Sequence, residues 1–190
     1  MKNIKIGLLG MYQVTNAVNV ICAVKALNQM GVQVSEESLY TGLESARWPA
    51  RFEIISRDPL VIFDGGHNPQ GVSSCVDSVK AFLKDYEIIA LTGVMADKDY
   101  RYIASRISEV AETVYCITPN NPRALEGSEY AKVFSELGVE AHPCDSIENA
   151  VEAAMSEAKS KGAALVCLGS LYMYGEVETA IRRAQKSQQA

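Results

Sequence analysis

A chain of 190 residues, 48% hydrophobic and 22% charged, has the composition of a soluble globular protein with room for one good core, or for one domain plus part of another. The formal net charge of -5, with no clustered run of Lys or Arg, argues against a nucleic-acid binder. No apolar run reaches the roughly 18 residues of a membrane span, and the opening MKNIKIGLLG lacks a signal-peptide apolar region, so a cytoplasmic protein with no membrane partner is expected.

Residues 14–30 are apolar on almost every side and are closed by Gly31, which predicts a helix buried over most of its surface. A second helix follows Ser35, a residue able to cap it. Pro49 then forbids helix, and a boundary is expected there, with residues 1–47 before it and 48–186 after it as separate units. FEIIS and LVIFD read as strands joined by a turn at Asp58-Pro59. Val72, Cys75, Val76, Val79, Phe82 and Leu83 then recur at helical spacing and mark one buried face. EIIALTGV, TVYCIT, VEAHP and AALVCLG continue the strands, each followed by a helical pattern. Strands that are apolar throughout and alternate with helices predict an α/β fold, a mostly parallel sheet covered on both faces. Five cysteines form no C-x-x-C pair and sit mostly in apolar segments, so they read as small buried hydrophobes and not as a zinc site or disulfide framework.

In such a sheet a ligand binds beyond the carboxyl ends of the strands, where this chain carries unusual polar residues. Asp64-Gly65-Gly66-His67-Asn68 follows one strand and Gly93 to Asp97 another; TPNNPRA and Gly169-Ser170 follow two more. Asn68 before Pro69 predicts an N-cap with proline in the first turn, so a positive helix end opens toward the loop. The paired glycines are expected to let backbone N–H groups approach a ligand. On residues alone two readings stand: a set of structural caps, or a site for a small anionic or nucleotide-like ligand. G-x-x-x-x-G-K-[ST], G-x-G-x-x-G and G-x-S-x-G are all absent, which removes a phosphate loop of that type and the nucleophile elbow of a serine hydrolase, and weakens a nicotinamide reading.

The motifs LLGMYQVTNAVNV, WPARFE, DGGHNP, GVMADKD and GSLYMYGEV, in this order, resemble those of folylpolyglutamate synthases and dihydrofolate synthases of the Mur ligase superfamily. The resemblance covers nearly the whole chain but only the later part of such an enzyme. It implies final helices of a central ATPase domain over 1–47, then a C-terminal Rossmann-like domain, with the N-terminal ATPase part as a missing partner.

The reaction so implied is ATP-dependent addition of L-glutamate to folate or dihydropteroate through an acyl phosphate, with Mg2+ ligands in the missing part. Asn16 matches an asparagine at the adenine, whose amide offers both a donor and an acceptor. Arg51 matches an arginine directed at the nucleotide phosphates, and Asp64 an aspartate at the ribose hydroxyls. His67 is implied near the incoming glutamate, as a substrate-binding and catalytic residue, and Ser170 matches a serine associated with glutamate. Asp97, Lys98 and Asp99 form a further signature that an ion-pair role explains equally well. The chain departs from the family pattern at Tyr12, usually histidine, at Ala50, usually glycine, and at Gly66, usually alanine. Without the phosphate loop, no turnover by these residues alone is expected; the alternative is a non-catalytic α/β module that binds a nucleotide or amino acid.

Overall fold

The computed structural model describes residues 3–187. Two helices come first, α1 (Tyr12–Gln29) and α2 (Glu36–Ser45), and Ser35 caps the second by accepting from the Ser38 amide at 3.0 Å. Six strands follow: β1 (Glu53–Arg57), β2 (Leu60–Asp64), β3 (Ile88–Thr92), β4 (Thr113–Cys116), β5 (Glu140–Pro143) and β6 (Ala164–Leu168). Between and after them lie α3 (Pro69–Phe82), α4 (Tyr100–Ile107), α5 (Gly127–Glu136), α6 (Ile147–Lys161) and α7 (Tyr174–Ser187).

The sheet order is β1-β2-β6-β3-β4-β5, with only the β1–β2 pair antiparallel. Five parallel strands need crossovers, and the intervening helices supply them on both faces. Strand alternation decides which face each side chain serves. Ile62, Ala90, Val114 and Val166 pack under α3, α4 and α5. Val61, Phe63, Ile89, Leu91, Leu165 and Cys167 point the other way, under α6 and α7. The β3 and β6 strands are buried at every residue, as expected for the centre of a doubly covered sheet.

Helix ends obey local chemistry. Asn68 Oδ1 accepts from the Gly71 amide at 2.8 Å with Pro69 at the first helical position, Asp99 caps α4 and Ser146 caps α6. Gly162 ends α6 in the left-handed conformation at φ 64°.

Two expectations about burial are corrected. On α1 only Gln13 and Ala17 are buried, whereas Val14 and Val18 are 54% and 51% exposed. The helix rests on a small cluster of Ala17, Leu39 and Leu43, so most of its apolar surface has no partner among the described residues. Phe82, read as a core position of α3, is also half exposed; it lies at the end of the helix and packs at a tilt on Phe52 at a ring distance of 6.0 Å.

Candidate functional site

The rim of the sheet forms where β2 and β6 end side by side. Asp64 pairs in register with Leu168, and beyond them the Gly169 amide donates to the Gly66 carbonyl at 3.1 Å. The loops carrying His67 and Ser170 are therefore stitched together.

Asp64 is buried at the centre of this rim. Its Oδ1 accepts from the Gly66 amide at 2.8 Å, and its Oδ2 accepts from the Phe52 amide at 3.0 Å and from the Tyr12 hydroxyl at 2.8 Å. Burial pushes the carboxyl pKa above its ordinary value, against the opposing pull of these hydrogen bonds and of Arg51. Burial, followed by the Asp64 charge, likewise raises the Tyr12 phenol, which stays protonated and donates.

The paired glycines serve the chain itself and not, as expected, a ligand. The Gly65 amide donates to the Ala50 carbonyl at 2.8 Å and the Gly66 amide to Asp64. A Cβ on Gly66 would lie 2.9 Å from the Gly71 backbone, so glycine permits loop and helix start to touch.

Arg51 projects from a tightly held turn. Ala50 and Phe52 on either side have φ of 57° and 47°, conformations costly for residues with a Cβ. The Ala50 amide donates to Glu53 Oε2 at 2.7 Å, and the Tyr174 hydroxyl donates to the same oxygen at 3.0 Å, which ties the turn to α7. The surrounding hydrogen bonds over-determine the conformation.

Two neighbouring clefts open on the rim. One, of about 340 Å³, is lined by Tyr12, Asn16, Arg51, Asp64, Gln70 and Ser74. Asn16 is exposed there, and its amide nitrogen donates to Gln13 Oε1 at 2.8 Å while its carbonyl oxygen is free of any such bond among the described residues. The other, of about 520 Å³, is lined by His67, Lys98, Arg123 and Ser170, with Met95 and Tyr172 as apolar walls.

His67 Nδ1 lies 3.0 Å from the Gly65 carbonyl. A carbonyl only accepts, so Nδ1 carries a proton, and in that neutral tautomer Nε2 is the acceptor left to the cleft. Ser170 is buried and its hydroxyl accepts from the Tyr172 amide at 3.2 Å, capping the short turn Leu171–Met173. Arg123 reaches Asp97 Oδ2 at 3.3 Å, Asp99 caps α4, and Lys98 faces the cleft, so the three-residue signature divides into separate tasks.

The five residues singled out from sequence thus fall into two groups. Asn16, Arg51 and Asp64 share the smaller cleft; His67 and Ser170 share the larger. Three further lining residues carried no assigned role: Tyr12, Lys98 and Arg123. The signal for Arg123 was its place in the polar loop TPNNPRA, but only folding shows that it lines one cavity with His67.

Comparison with known proteins places this geometry. The family model described as Mur ligase, glutamate ligase domain, matches residues 50–171. The chain belongs to that family. Among curated relatives, this Mur ligase domain is 34% identical over 159 residues to the dihydrofolate synthase/folylpolyglutamate synthase of Escherichia coli, covering 84% of the chain and 36% of the relative. It is 31% identical over 177 residues to the folylpolyglutamate synthase of Lacticaseibacillus casei, covering 92% and 40%. Among solved structures, Escherichia coli FolC in complex with DHPP and ADP superposes on 100% of the chain and 42% of its own, with a TM-score of 0.81 and 26% identity. Mycobacterium tuberculosis folylpolyglutamate synthase complexed with ADP and AMPPCP gives a TM-score of 0.83 at 25% identity, over 94% and 42%. The chain spans less than half the length of each of these relatives.

Proposed function

We propose that this Mur ligase domain supplies the nucleotide wall and the amino-acid cleft of an ATP-dependent ligase that adds L-glutamate to folate or dihydropteroate. The observation that carries the reading is the adjacency of the two clefts across one rim, the smaller suited to a nucleotide and the larger to a dicarboxylic amino acid. The smaller cleft fits ATP in its donor set: an amide for a purine edge, a guanidinium for phosphate and a carboxylate for sugar hydroxyls. Asp64 already accepts three hydrogen bonds, so of its roughly four acceptor sites about one remains for the sugar.

In the larger cleft, Lys98 and Arg123 supply charge for two carboxylates, and Met95 and Tyr172 flank the aliphatic stem. Ser170, whose hydroxyl caps its own turn, shapes this cleft and offers its remaining hydrogen-bond capacity to the ligand. His67 Nε2 accepts a hydrogen bond from the incoming amino group and orients its lone pair toward the acyl carbon. The substrate carboxylate takes the terminal phosphoryl group of ATP and ADP leaves; the amine then attacks the acyl carbon, gives up a proton to His67 Nε2 and expels phosphate to leave the amide. Magnesium enters no step assigned to this chain: among the described residues no three His, Cys, Asp or Glu side chains come together to hold a metal.

The relatives' further length implies a second wall containing the N-terminal ATPase part, and closure around ATP excludes water. The isolated chain is therefore expected to bind but not to turn over. In a full-length ligase carrying this domain, Arg123→Ala should raise the KM for glutamate about tenfold or more with the KM for ATP unchanged, and Arg51→Ala should do the reverse. Equal effects of both variants on both substrates would remove the two-cleft assignment.

A further inference from the structure

A third cleft, of about 330 Å³, runs along the outer edge of β1 and uses neither His67 nor Ser170. It is lined by Glu53, Ile54 and Arg57 of that strand, by the segment Gly7–Leu9, and by Arg47, Trp48 and Arg51. The strand pairs only with β2, so its other edge is open to an extended ligand. At about 3.3 Å per residue, Glu53 and Arg57 stand about 13 Å apart, which makes the cleft a groove and not a cup.

Its charge runs against that of the molecule. Three arginines face one glutamate, in a chain whose net charge is -5. Glu53 is already engaged by the Ala50 amide and the Tyr174 hydroxyl. Arg47 holds the Glu44 and Ala46 carbonyls through one nitrogen, at 2.9 and 2.7 Å, and its other N–H groups make no hydrogen bond among the described residues. Neither Arg51 nor Arg57 is in a salt bridge among those residues. Trp48 stands 67% exposed at the mouth. A row of guanidiniums along an open strand edge suits a linear chain bearing a carboxylate on every unit.

We infer that this groove binds the oligoglutamyl tail of the ligase substrate as it lengthens, with Arg51, Arg47 and Arg57 pairing successive carboxylates. The inference rests on the reading of the domain as a glutamate-adding ligase. Arg51 lines both this groove and the nucleotide cleft, so a tail laid here leads directly to the place where the reacting end is activated.

Trp48 is the only tryptophan in the sequence, so its fluorescence reports on the groove without labelling. The chain is titrated with a linear pentamer of γ-linked glutamate. A saturable change is expected, weakened by added salt and about tenfold weaker in Arg57→Ala, an exposed position whose loss leaves the circular dichroism unchanged. ADP, which shares only Arg51 with the pentamer, should weaken its binding no more than a few-fold. No saturable change, an unaltered affinity in Arg57→Ala, or complete displacement by ADP overturns the inference. Calorimetry of ADP and L-glutamate on the same preparation separates the causes: if both bind and the pentamer does not, only the tail groove is lost. If none binds, the ligase reading falls with it.

Discussion

At the scale of single residues, Asp64 shows how much of a site can be internal. The carboxylate that would meet a ribose is also the knot joining α1, the turn at Ala50–Phe52 and the glycine loop. Asp64→Asn should cost about 1–3 kcal/mol, because either orientation of the amide sets its NH2 against a backbone N–H donor. Urea denaturation with an unchanged slope measures it. Tyr12→Phe removes one donor and should cost about 1–2 kcal/mol in the same assay. The pH dependence has a definite sign. Because the folded pKa of Asp64 lies above its ordinary 3.8, the folded state holds that proton more tightly than the unfolded chain. This group's contribution to stability is present below the ordinary value and lost as pH rises through the folded one. A carboxyl titration by NMR should place the Asp64 midpoint above 3.8, and a midpoint at or below it would remove burial as the dominant influence.

At the scale of elements, the ends of strands and helices carry the local signals. Gly162 closes α6 at φ 64° with no neighbour within 4 Å of where a Cβ would sit. Gly162→Ala should therefore cost about 1 kcal/mol, all of it conformational, read as a lowered thermal midpoint. Ala50 is the opposite case. It holds φ 57° with its methyl buried, so glycine relieves strain but forfeits about 0.8 kcal/mol of burial. Ala50→Val meets both costs together and should lose about 2 kcal/mol or more. A thermal midpoint for Ala50→Val equal to that of the unaltered chain would show that the turn relaxes freely. The departure from the usual glycine was visible in WPARFE; that the chain keeps a left-handed turn there despite it was not.

At the scale of the molecule, the two halves differ in how they are held. The sheet is buried on both faces, whereas α1 and α2 share a cluster of three buried residues and present Val14, Val18 and Met30 to solvent. Hydrogen exchange should accordingly be fastest in α1 and α2 and slowest in β3 and β6. Sedimentation should detect concentration-dependent association that Val14→Ser with Val18→Ser reduces, since an exposed apolar face of this kind drives contact. Uniform protection across both halves would contradict this picture.

The alternation of apolar strands with helical periods was enough to read the α/β class, the strand and helix segments and the N-cap at Asn68, because each depends on a few adjacent residues. The motifs sufficed for the family. Sequence could not say whether α1 is covered, since an apolar helix looks the same beside a partner or without one. Nor could it divide Asn16, Arg51 and Asp64 from His67 and Ser170, or bring Arg123 into one cavity with His67 and Arg57 into one groove with Arg51. Those relations follow from strand order and register, which bring chain-distant loops to one rim through the pairing of β2 with β6. Local chemistry writes the elements; only packing decides which of their ends meet.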